Sequence, residues 1–162
     1  EVVAYFEKCR TPLIWASNFS VGVNVFTAAV DLASSLLAKA GGYAPYIVEK
    51  HHCHKLDAPS GTAKTLAAVV DRNMDIKPDV ASVRVGEIAG IHTVGFEGGC
   101  DRITMEHEAF SRQGFAEGAV MAAGMADAQA EETLAGQDGV NPQGAPKPMV
   151  YEFKELFIGT LK

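Results

Sequence analysis

His51 and Lys55 stand four residues apart, and Ser60, Gly61 and Thr62 follow in the run His51-His52-Cys53-His54-Lys55-Leu56-Asp57-Ala58-Pro59-Ser60-Gly61-Thr62-Ala63. A separation of four returns two side chains to one face of either an extended or a helical backbone. An imidazole that exchanges a proton near neutral pH and an ammonium that holds a carboxylate can therefore act on one ligand. Ser60 precedes an Ala-, Leu- and Val-rich stretch and is placed to cap a helix there, with the backbone N–H groups of Gly61 and Thr62 at its positive end. Gly61 opens the backbone to a ligand by lacking a Cβ, and Pro59 stiffens the approach. These residue types describe a pocket for a small, multiply anionic substrate that must be protonated.

Each of these residues also has a plainer reading. A histidine after a strand is commonly a hydrogen-bonding surface residue, and Asp57 serves simply as an acid at a helix start or as a partner for Lys55. His52 faces away from His51 if the backbone stays extended. His92 and His107 fall in alternating stretches, where sheet packing or hydrogen bonding accounts for them. His54 could share a metal with His52 or Cys53, but ligands so close in sequence do not complete a tetrahedron without distant partners, so no metal site is assigned.

The elements that must position these groups can be read from periodicity. Val23, Phe26, Val30, Ala33, Leu37 and Ala40 recur at helical steps until Gly41-Gly42, which predicts an amphipathic helix with a glycine stop. Residues 43–50 read as a strand delivering the histidines, and 61–74 as the capped helix. Beyond Pro78 the pattern alternates: Val83 and Val85 against Ser82 and Arg84, His92, Val94 and Phe96 against Thr93, Gly95 and Glu97, and Ile103 and Met105 against Thr104 and Glu106. These are sheet strands, with Gly98-Gly99 at a turn. Residues 12–16 suit a short buried strand, residues 2–9 a helix, and Ser111 caps a last Ala-rich helix. Residues 128–148, rich in Gly and Pro, read as an extended loop. The predicted class is α+β: a mixed, largely antiparallel sheet with helices packed on one face.

With 162 residues, 48% of them hydrophobic, the chain can form a real core. A net charge of −6 without a basic stripe argues against a nucleic-acid partner. Three cysteines, Cys9, Cys53 and Cys100, lack CxxC spacing and point to a reducing cytoplasm rather than a disulfide framework. No uninterrupted apolar run of membrane-spanning length stands out, so no membrane partner is expected.

Residues 49–63 resemble the substrate motif of the 4-hydroxy-tetrahydrodipicolinate reductase (dihydrodipicolinate reductase) family of lysine and diaminopimelate biosynthesis. Two further runs resemble family segments: Ala16-Ser17-Asn18-Phe19-Ser20-Val21-Gly22-Val23-Asn24, and Arg84-Val85-Gly86-Glu87-Ile88-Ala89-Gly90-Ile91-His92-Thr93-Val94 with Ser111-Arg112 and Phe115-Ala116-Glu117-Gly118-Ala119. The resemblance implies reduction of a small cyclic dicarboxylate by NADPH or NADH. His51 and Lys55 would be catalytic, and His52, Ser60, Gly61 and Thr62 would bind substrate. Ala16, Ser17, Asn18 and Phe19 would touch the nicotinamide end. It implies 1–17 as a remnant of a nucleotide-binding domain, 18–112 as a substrate and oligomerisation domain forming a homotetramer, and 113–162 as a helix, linker and returning tail. Arg112 would brace the domain junction. No Gly-x-Gly-x-x-Gly turn occurs in the sequence, so the resemblance also implies that about the first two-fifths of a family chain is not contained here, and that this chain alone binds substrate but not cofactor. Bacterial cytoplasm and plastid stroma both suit such an enzyme, the cytoplasm being the preferred reading. The competing classes are a non-catalytic dicarboxylate-binding oligomerisation fragment or paralogue, and a histidine- or zinc-dependent hydrolase.

Overall fold

A computed structural model of the chain describes residues 1–134 and 149–159. In order, its elements are α1 (Val2–Cys9), β1 (Leu13–Trp15), α2 (Val21–Ala40), β2 (Ala44–His51), α3 (Gly61–Met74), β3 (Asp79–Arg84), β4 (Gly90–Glu97), β5 (Arg102–Ala109), α4 (Gln113–Leu134), β6 (Val150–Glu152) and α5 (Phe153–Gly159). They fall into two compact units: Val21–Gly114, and Glu1–Ser20 together with the described residues from Phe115 onward. These divisions lie a few residues beyond the sequence boundaries at 17/18 and 112/113.

The Val21–Gly114 unit is built on a four-stranded sheet of order β3-β2-β4-β5. β2 runs parallel to β3 across the α3 connection, whereas β2 with β4 and β4 with β5 are antiparallel. This is the mixed, largely antiparallel α+β sheet that the alternation predicts. α2 and α3 cover one face because their apolar residues fall at helical spacing. Phe26, Val30 and Leu37 from α2 and Leu66, Val69 and Val70 from α3 close a core over Ile47, Val94 and Phe96. Both glycines after α2 adopt left-handed backbone, φ 73° at Gly41 and 78° at Gly42, which ends the helix at the predicted place. At the head of α3 the Ser60 hydroxyl accepts from the Ala63 N–H at 3.2 Å, the predicted cap.

Two expectations need correction in this unit and its surroundings. At 20 residues α2 is long and apolar enough to cross a membrane, although its apolar residues do not form an uninterrupted run. Its Val23–Leu37 face is nevertheless buried on the core, and Asp31 is tied to Arg72 at 2.9 Å and to the Asn73 amide at 2.7 Å in α3, as suits a core helix. The alternation at β3 is present, with its polar side toward the helices: Val83 and, just past the strand, Val85 are exposed while Arg84 turns inward. The helix-facing side is polar at that end of the sheet, because the site lies there. Finally, residues 128–134 of the expected loop are the last turns of α4, and 135–148 lie outside the described residues.

In the other unit β1 pairs in parallel with β6, Leu13 opposite Val150 through Trp15 opposite Glu152. With one partner strand among the described residues, β1 is half-buried rather than buried, and Trp15 is exposed. Ser111 accepts from the Gln113 N–H at 3.2 Å at the start of α4, as expected of a cap. Gly118 of α4 lies so close to the Phe19 carbonyl that an added Cβ would come within 1.7 Å of its oxygen. The glycine thus holds the Ala16–Phe19 loop against α4. Phe19 also packs on Phe153 of the tail, with ring centroids 5.4 Å apart.

Candidate functional site

Strand register gathers the chemistry at one end of the sheet. Glu49 and His51 are two apart on β2, so both point to the helix-covered face with Ile47. Glu49 lies opposite His92 on β4 and Ser82 on β3, and His51 lies opposite Arg84. The capped start of α3 stands over the same place. Ser60 bonds through its backbone N–H to Glu49 Oε1 at 3.2 Å, and its hydroxyl is 3.2 Å from His92 Nε2.

Glu49 is completely buried and sits between two basic groups. Arg84 Nη2 donates to its Oε1 at 2.7 Å, and His51 Nδ1 is 2.6 Å from its Oε2. Burial alone would push this carboxyl up, but hydrogen bonds from Ser82, Arg84 and Ser60 outweigh it and hold the group at about 2. Glu49 is an anion at every physiological pH. Burial pulls His51 down, Glu49 opposes that pull, and the nearby Lys55 and Arg84 charges reinforce it. Burial, followed by the charge of His51, takes His92 down to about 4, so His92 is neutral at pH 7. The two rings meet edge to face with centroids 5.0 Å apart.

Lys55 reaches Asp57 at 2.7 Å, and the same Arg84 Nη2 donates to the Asp57 carbonyl at 2.6 Å. Arg84 therefore ties the Lys55-bearing loop to the buried carboxylate. Asp57 is the lysine's partner, the second of its plain readings. On the far side of His51, an added Cβ at Gly90 would lie 3.1 Å from Nε2, so glycine keeps that edge of the ring clear. Gly61 is exposed, with open space where its Cβ would be.

The structure thus brings His51, Lys55 and Ser60 into one network and sets Gly61 and Thr62 at the adjoining helix start. His52 is placed differently: its ring neighbours His54, and its backbone N–H bonds to the Ile88 carbonyl at 2.8 Å. Its Nδ1 is buried without a hydrogen-bond partner among the described residues, as are Nδ1 of His92 and Nε of Arg84. Orphaned polar atoms gathered at one end of a sheet suit a polar ligand or ordered water. Ala16, Ser17, Asn18 and Phe19 lie in the other unit, between β1 and α2, where Asn18 Oδ1 accepts from the Ser20 N–H at 2.8 Å.

Sequence reasoning passed over Glu49, Arg84 and Gly90 as participants. Glu49 was within reach, since period-two alternation from His51 puts it on the same face. Arg84 was not, because its role depends on which strand lies beside β2. His92 keeps its plain hydrogen-bonding role, now with Ser60 as the partner.

Known proteins are similar to this chain in sequence and in fold. The family described as dihydrodipicolinate reductase, C-terminus, matches residues 22–139. A 4-hydroxy-tetrahydrodipicolinate reductase of Stenotrophomonas maltophilia strain K279a is 49% identical over 114 residues, 70% of this chain and 46% of that protein. One from Xanthomonas campestris pv. campestris strain B100 is 47% identical over 114 residues, again 70% of this chain and 46% of that protein. The chain spans about half the length of the curated relatives it matches. Among solved structures, a dipicolinate-bound dihydrodipicolinate reductase from Paenisporosarcina sp. TG-14 has a TM-score of 0.65 at 23% identity, over 76% of this chain and 53% of that one, a likeness of fold.

Proposed function

The chain belongs to the dihydrodipicolinate reductase family, and from that premise we propose that it forms the substrate-binding and proton-donating part of a 4-hydroxy-tetrahydrodipicolinate reductase of lysine and diaminopimelate biosynthesis. The observation that carries the reading is the buried Glu49–His51 pair, fixed by Arg84 beside the capped start of α3. A cyclic dicarboxylate, the ligand class named for the similar solved structure, suits such a site. One carboxylate takes the N–H groups of Gly61 and Thr62 with Ser60 at the helix end, and the other takes Lys55, whose ammonium has donors to spare beyond Asp57. His52 borders the same ligand through its unpartnered ring nitrogen.

NADPH or NADH supplies the hydride when bound. The residues present do not fit a complete dinucleotide site, since the sequence has no Gly-x-Gly-x-x-Gly turn to cradle a pyrophosphate. Ala16–Phe19 would supply only the nicotinamide contact. His51 donates the proton that the reduced substrate needs, from Nε2 on its Gly90 side, while Nδ1 stays against Glu49. Burial keeps His51 neutral in the free protein, and the incoming dianion offsets that penalty, so substrate binding and proton loading go together. A protein carrying this chain with a nucleotide-binding half should consume NADPH or NADH only when the cyclic dicarboxylate is present. Cofactor oxidation that does not depend on that substrate would contradict the reading.

The sheet face opposite α2 and α3 carries Tyr46, Val48, Val83 and Ile91, with no helix of this unit over it. We infer that copies of the chain cover it for one another in a homotetramer of dihedral symmetry. Light scattering at micromolar concentration should return a tetramer, and a monomer would overturn this. Three exposed thiols, Cys9, Cys53 and Cys100, suit a reducing cytoplasm or plastid stroma, the cytoplasm being preferred.

A further inference from the structure

Beside the site, the turn after β2 meets the loop after β3. His52 donates its backbone N–H to the Ile88 carbonyl at 2.8 Å, Cys53 to the Gly86 carbonyl at 3.0 Å, and Val85 to the His51 carbonyl at 3.0 Å. These bonds fix two backbone segments whose side chains then converge on one point of the surface. Cys53 Sγ is 3.6 Å from His54 Nε2, which is 3.1 Å from Glu87 Oε1, and all three atoms lie within 4.8 Å of one another. Glu87 is the distant partner that close-packed Cys53 and His54 lack in the sequence. A thiolate, an imidazole nitrogen and a carboxylate oxygen at such spacings are a three-ligand zinc set, and because all three residues are exposed, water can take the fourth position.

We propose that Cys53, His54 and Glu87 bind a thiophilic divalent cation, zinc, on the surface next to the Lys55 loop. Two anionic ligands balance the ion's charge, and the thiol proton leaves to solvent on binding. The other convergent trio, Glu49, His51 and His92, does not compete for the ion. Arg84 places a positive charge 2.7 Å from Glu49, and the carboxylate's oxygens are already bonded to Arg84 and Ser60 or close to His51. The inference does not depend on the reductase reading.

Cobalt substitution tests it in the reduced protein after chelation. A single equivalent of Co²⁺ should produce a thiolate-to-cobalt charge-transfer band together with the strong visible bands of tetrahedral cobalt, and Zn²⁺ but not Mg²⁺ should abolish both. Cys53→Ser should remove the charge-transfer band. Glu87→Gln should weaken binding about ten-fold or more, since even a residue that only supports a ligand is worth that much. Cys9→Ser with Cys100→Ser, and separately His51→Gln, should leave the spectrum intact. A wild-type protein without the band, a band that survives Cys53→Ser, or one lost in His51→Gln would overturn the proposal.

Discussion

In a protein that joins this chain to a nucleotide-binding half, His51→Gln should lower kcat by about two to four orders of magnitude, the range a positioned general acid contributes, while KM for the dicarboxylate should change little. Glutamine keeps a polar group of similar reach beside Glu49, so the fold and the carboxylate contacts proposed for Ser60, Gly61, Thr62 and Lys55 should survive. What disappears is the proton on Nε2. Lys55→Ala should behave in the opposite sense, raising KM most, because the ammonium binds a carboxylate in ground and transition states alike. Steady-state kinetics on the two variants separate the roles. Normal turnover by His51→Gln beside an inactive Lys55→Ala would move the proton role to Lys55 or to water.

Glu49→Ala destabilises the protein by about 3–5 kcal/mol, the usual cost of removing one partner of a buried ion pair. Its loss strands Arg84, only 17% exposed, with the Asp57 carbonyl in place of a counter-charge, and leaves the Ser60 N–H without its acceptor. Against a total stability of about 5–15 kcal/mol this is a large fraction. The acid limb of stability carries the same signature. Glu49 goes from an ordinary 4.5 to about 2 on folding, so its contribution is complete above 4.5 and is lost as pH falls toward 2. His92 acts in a higher window: taken from 6.5 to about 4, it refuses in the fold a proton that the unfolded chain accepts, and stability drops between those values as acid is added. Urea midpoints measured from neutral pH downward should show both steps, and Glu49→Gln should flatten the lower one and deepen the upper one, because the Glu49 charge favours protonated His92. Equal midpoints for Glu49→Ala and wild type would show that the carboxylate is not holding the site together.

The parts of this molecule legible in its sequence are those governed by local rules. The spacing of Phe26, Val30 and Leu37, the Gly41-Gly42 stop and the Ser60 cap each specify an element within a few residues, and the structure has them where they were predicted. His51 and Lys55 were legible because a separation of four implies a shared face, and Ser60 because it precedes an apolar helical run that it can cap. What escaped depends on contacts distant in sequence. Arg84 reads as the polar side of an amphipathic strand until β3 is known to lie beside β2, where its register against His51 carries the guanidinium to Glu49. For the same reason the alternation at Val83 and Arg84 does not say which of the two faces the core. Residues 128–134 look like loop by composition, yet they continue an Ala-rich helix already under way.

Calorimetric titration of pyridine-2,6-dicarboxylate tests most directly whether the His51 end of this sheet is a dicarboxylate pocket held by Lys55 and the start of α3. The wild-type protein should bind saturably, and Lys55→Ala should bind about ten-fold or more weakly, as expected for a lost charge-assisted hydrogen bond. Undiminished affinity in Lys55→Ala, or no saturable binding by the wild type at millimolar ligand, would contradict the claim.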